Sequence, residues 1–203
     1  MQGRLTTTTG LSFRAQRGIP APAARTSPFA LKPETRHLQP CHREKYQWFK
    51  RTLETSSATY KFVFAHHVNG TGRGGVELAG TYEWGDAAQF ATQRPGWGQP
   101  IHQLLVEHHV SAVFHGHDHV FVQQELDGIV YQEVPQPSTT DANPRIAADY
   151  GYTHGTVLGS SGHLRVTVTP AQVTVAYMRA YLPQDEMPTQ QNGQVAYSYT
   201  IAR

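Results

Sequence analysis

The chain has 203 residues, carries 17 Lys and Arg against 15 Asp and Glu, and is 38% hydrophobic. That length suits one domain, or one domain with an arm, and the near-neutral balance points to no acidic partner such as nucleic acid. The single cysteine, Cys41, excludes an internal disulfide framework and any CxxC metal site.

Residues 1–40 hold six Arg or Lys and one acid, Glu34, in a setting of Ser, Thr, Ala and Pro. They read as a disordered or unrelated leader rather than a transit peptide, and they lack the apolar core of a secretory signal. No run reaches the ~18 apolar residues of a membrane span, so no membrane partner is expected. Localisation stays open. Ordered sequence is expected over 41–203. Tyr46, Phe49 and Leu53 fall at helical spacing in "HREKYQWFKRTLET". "YKFVFA" reads as a short strand that ends at His66 and His67. The Gly-rich segment from Val68 to Gln99 reads as an extended loop.

Pro100 then opens a second helix, with Ile101, Leu104, Leu105 and His108 along one face. "VSAVFHG" predicts a second strand and "IVYQEV" a third. After a polar loop, "HLRVTVTP" and "QVTVAYMRAY" alternate apolar and polar residues on either side of Pro170. This predicts an antiparallel hairpin with one wet face, and "QVAYSYTIA" a closing edge strand. The order is α/β in its first half and antiparallel β in its second, an α/β (α+β) class.

The chemistry concentrates where the first two strands stop, at "FAHH" (His66, His67) and "FHGHDH" (His115, His117, Asp118, His119). Ligand sites in open α/β sheets gather beyond the carboxyl ends of strands, so these histidines converge if the strands are neighbours. In an extended segment residues i and i+2 share a side, which puts His117 and His119 in one crevice and Asp118 on the other side. Gly116 permits a close backbone approach or an unusual dihedral just before them. Neutral imidazole is a good ligand for borderline cations. A single strand-end histidine is more often a hydrogen-bonded, half-buried residue; two such groups at adjacent strand ends favour a site. Arg73, in "NGTGRGG", has the chemistry to hold a phosphate, although a solvated arginine is the commoner state.

In order and context, "FAHH" followed by "GHDH" resembles the last two metal-binding motifs of calcineurin-like metallophosphoesterases. "RPGWGQPIHQLLVEHHVSAVFHGHDHVFV" resembles that family's lead into its final motif. The tail "GSSGHLRVTVTPAQVTVAYMRAY" is similar to the terminal hairpin of its purple acid phosphatase-like members. The resemblance implies the C-terminal half of a four-layer αββα sandwich. It implies metal-dependent hydrolysis of phosphoric esters by water activated at a dinuclear centre of Fe, Zn or Mn. On this resemblance His66, His117 and His119 are the metal ligands. His67 takes the catalytic place beside the substrate phosphate, while His115 and Asp118 are not ligands. The implied partner is a phosphorylated small molecule or ester.

The family's Asp-X-His, Gly-Asp-X-X-Asp and Gly-Asn-His-Asp/Glu motifs do not occur in the chain, and Val68 stands where the family has proline. Two metal ions held close together need anionic ligands between them to offset their repulsion, and neutral imidazoles bring no charge. The expectation is therefore a partial phosphoesterase domain that holds at most one ion. It either pairs with the remaining half, self-associates, or stands as a catalytically inactive metal-binding remnant.

Overall fold

The computed structural model describes residues 40–68, 73–77, 90–138 and 146–202. The leader expected over residues 1–40 lies outside them but for Pro40, as does half of the Gly-rich segment.

Helix α1 (Pro40–Thr55) forms where the helical periodicity predicts it, and its Tyr46 and Leu53 are buried. Strand β1 (Phe62–Phe64) follows, then a short helix α2 (Phe90–Gln93) and helix α3 (Ile101–Glu107), which starts directly after Pro100. The end of α3 explains two of the histidines. His109 takes φ +50, Val110 N–H donates to Leu105 O at 3.0 Å, and His109 N–H donates to Val106 O at 3.1 Å. This is a Schellman closure, with buried Val110 packed in the same cluster as Leu105. Lys61 Nζ also donates to the His108 carbonyl at 2.7 Å, placing a cation at the negative end of the helix.

Strands β2 (Ala112–His115), β3 (Phe121–Leu126), β4 (Ile129–Glu133) and β5 (Thr156–Leu158) join β1 in a five-stranded sheet of order β1-β2-β4-β3-β5. β1, β2 and β4 run parallel, whereas β3 is antiparallel to both β4 and β5. The sequence reading passes over β3, which pairs with β4 through the tight turn Asp127–Gly128, both at positive φ (+52 and +77). A short helix α4 (Ile146–Asp149) lies in the stretch read as a polar loop. The second sheet is antiparallel, made of β6 (Gly162–Val168), β7 (Gln172–Arg179) and β8 (Val195–Ala202) in that order, as the alternation predicts.

Side chains on a strand alternate between its faces, and that alternation makes the layers. Val113, Ile129 and Tyr131 pack against Tyr46, Leu53, Leu104 and Leu105 from α1 and α3. Each fully buried leucine stabilises by roughly 1.5–3 kcal/mol. The opposite face carries Ala112, Phe114 and Val130, packed against Val173 and Val175 of the second sheet. Phe121 stacks on Tyr177 at 4.8 Å, and Tyr199 donates to Gln132 Oε1 at 3.0 Å. The described residues therefore build an α/β class fold of helices, a mixed sheet and an antiparallel sheet. No helix among them is long and apolar enough to cross a membrane.

Candidate metal centre

The parallel pairing of β1 with β2 sets Phe64 opposite Phe114, so the two chains leave the sheet side by side. Past the strand ends they stay tied, because Ala65 N–H donates to Phe114 O at 3.0 Å and Gly116 N–H to His66 O at 2.9 Å. The histidines that follow are brought together. His66 Nε2 lies 3.1 Å from His117 Nδ1. His66, His67 and His117 each offer a ring nitrogen within 4.8 Å of the other two. Their rings meet edge to face, with centroids 4.4–5.2 Å apart. Burial, and then the neighbouring His117 and His66 charges, lower the pKa of His67 from the ordinary histidine value. This favours the neutral ring that a metal needs.

The "GHDH" segment differs from the extended geometry that places His117 and His119 on one side. β2 stops at His115, and both His117 (φ +95) and His119 (φ +63) are left-handed. His117 joins His66 and His67, whereas His119 is exposed and is not among the three whose ring nitrogens lie within 4.8 Å of one another. Its carbonyl accepts from Ser160 Oγ and from Gln136 N–H. Gly116 is not the left-handed residue. A Cβ at that position would meet nothing nearer than His66 O at 3.9 Å. Its part is the backbone bond to His66.

Asp118 turns inward and is 3% exposed. Its Oδ2 accepts from Gly74 N–H at 2.8 Å and from the Tyr152 hydroxyl at 2.9 Å, and its Oδ1 lies 3.2 Å from Arg73 Nη1. Burial is the first cause that raises the Tyr152 pKa well above the usual tyrosine range, which keeps that hydroxyl a donor. The Arg73 guanidinium also lies over the Tyr150 ring at 4.3 Å. Arg73 is therefore docked on Asp118 and Tyr150, yet half of its side chain remains exposed. A neighbouring carboxylate, Glu77, accepts from Gln124, from the backbone and hydroxyl of Thr153, and from His154 N–H.

The sequence reading missed Glu133, which is fully buried. Its Oε1 accepts from the N–H groups of Asp118 (2.9 Å) and His119 (3.2 Å), and its Oε2 lies 2.8 Å from His115 Nδ1. A glutamate on a strand that otherwise reads "IVYQEV" is the signal that was available, since a charged group in a core strand calls for a partner. Beside the histidines, an open cleft of about 630 Å³ between the two sheets is lined by Phe64, His66, Phe114, His163, Leu164 and Val166.

No family model and no curated protein matches this sequence. Among solved structures, the chain is similar to the purple acid phosphatase PPD1 from seeds of yellow lupin (Lupinus luteus), at 17% identity and a TM-score of 0.47. That match covers 79% of this chain and 28% of the lupin protein. It is also similar to GAP50, the anchor in the inner membrane complex of Plasmodium, at 11% identity and a TM-score of 0.49. This second match covers 79% of the chain and 42% of GAP50. The chain thus spans less than two thirds of the length of either.

Proposed function

We propose that the chain carries a histidine metal site belonging to hydrolysis of phosphoric esters, with His66, His67 and His117 as the ligands. The observation that carries the metal site is the convergence of three imidazole nitrogens within 4.8 Å at the carboxyl ends of two parallel strands. The donor set fits one borderline cation such as Zn²⁺. Two ligand nitrogens on a tetrahedral zinc sit roughly 3.3 Å apart, from a Zn–N distance of ~2.0–2.1 Å. The His66–His117 pair, at 3.1 Å, is close to that separation. A second ion does not fit, because among the described residues no carboxylate joins the group. Asp118 and Glu133, the nearest in sequence and in hydrogen bonding, are engaged with backbone and side-chain donors.

When bound, such an ion would act as a Lewis acid and lower the pKa of its water. His66 is held by the Gly116 backbone bond and His117 follows that bond into its turn, so both rings are brought to the same place. His67 adds the third nitrogen, and its lowered pKa keeps that nitrogen available. The phosphoric-ester class rests on the family resemblance of the two histidine motifs; the geometry supports the ion.

A second reading, a metal-binding protein without turnover, is favoured by the lack of any carboxylate among the clustered ligands. Hydrolysis of p-nitrophenyl phosphate by the zinc-loaded chain separates the two. Metal-dependent turnover lost in His117→Ala establishes the hydrolase. Zinc binding without turnover establishes the second reading for this chain alone.

A further inference from the structure

We propose that Glu133, paired with buried His115, is the positioning residue that aims His117 at His66 and His67. This rests on the metal-site reading above. Glu133 and His115 are register partners across the parallel β2–β4 pair, so their side chains leave the same face of the sheet side by side. Both are buried, at 0% and 2% exposure. One carboxylate thus flanks His117 on both sides, and the hydrogen bonds it accepts are those on the far side, at Asp118 and His119. Its Oε2 lies against the ring of His115, two residues before, and its Oε1 takes the N–H groups of Asp118 and His119, the two residues after.

His117 needs such a hold. A histidine at φ +95 is in a costly backbone region, and such conformations persist only where the surroundings over-determine them. The same sheet face is otherwise filled by Val113, Ile129 and Tyr131. An apolar residue at position 133 would pack there without the desolvation cost of a buried carboxylate. What it would lack is an acceptor for two consecutive N–H groups at the root of the histidine turn. Partners that orient metal-binding histidines typically matter ten- to a hundred-fold in metal affinity, and Glu133 acts here through the backbone rather than through an imidazole nitrogen.

The test compares zinc affinity, by competition with a chromophoric chelator well below the melting temperature, in wild type, Glu133→Leu and Glu133→Gln. The leucine variant is expected to bind zinc about ten- to a hundred-fold more weakly. The glutamine variant, which keeps an Oε1 acceptor, is expected to recover most of the affinity. A purely structural role would shift the melt of both variants and leave the zinc affinity of the folded protein unchanged. That result, or equal loss in both variants, overturns the proposal. Should Glu133→Leu not fold, hydrogen exchange of the wild-type chain decides. Protected amides at Asp118 and His119 support the clamp, and exchange at open-loop rates overturns it. If wild type binds no zinc, the metal reading fails by itself and the same exchange measurement still judges the clamp.

Discussion

His66 and His117 are 51 positions apart in sequence, yet their ring nitrogens lie 3.1 Å from each other. Two parallel strands, one backbone bond from Gly116 and a left-handed turn produce that contact. Nothing in the local sequence of either histidine specifies the pairing by itself. It follows from the order of β1 and β2 in the sheet.

The strain at His117 predicts a difference between two substitutions that both remove its imidazole. Alanine keeps the Cβ that makes φ +95 costly, whereas glycine does not. His117→Gly is expected to be more stable than His117→Ala by about 1 kcal/mol, read from urea unfolding midpoints. Equal stabilities, or a more stable alanine variant, would show that the turn is not strained at this residue.

Asp118 predicts a cost for a small change at a distance. Tyr152→Phe removes one of the three donors to a carboxylate that is otherwise sealed from water. The expected loss is about 2 kcal/mol, as for a hydrogen bond to a buried carboxylate. It should be accompanied by faster exchange of the Gly74 amide, which shares the same oxygen. An unchanged melt would mean that Asp118 does not hold the Arg73–Gly74 segment in place.

Acid should loosen the contacts around Glu77. Partial burial would raise its pKa, but hydrogen bonds from Gln124 and Thr153 outweigh burial and leave it below the ordinary carboxylate value of 4.5. The unfolded chain therefore takes up the proton first as pH falls. The contribution of Glu77 is full above 4.5 and declines as pH drops through its folded value. Wild type is expected to lose more stability than Glu77→Gln between about pH 5 and pH 3, followed by denaturant unfolding at each pH. Parallel curves would remove Glu77 from the account.

Much of this architecture was legible because periodicity reports which face is buried. α1, α3, β2, β4 and the three C-terminal strands all fall where spacing or alternation places them. β3 escaped notice because its start, Phe121-Val122, runs on from the "GHDH" turn as one apolar block. Asp127-Gly128 was the available signal, a pair suited to the doubly positive φ of a tight hairpin. The site was legible as a set of histidines but not as a geometry. Counting i and i+2 assumes a strand, and the chain stops being one at His115. Only the folded turn shows that His117 meets His66 and His67. Glu133 was hidden for a different reason, since its purpose depends on cross-strand register with His115, which no single stretch of sequence displays.

The most direct test of the central claim is a zinc titration of the chain and of four single variants at pH 7.5. Wild type is expected to bind about one equivalent, as for a site of three histidines with an open position. His66→Ala, His67→Ala and His117→Ala should each lose most of that binding, and His119→Ala should keep it. Absence of zinc binding in wild type, or binding that survives His117→Ala, would contradict the account.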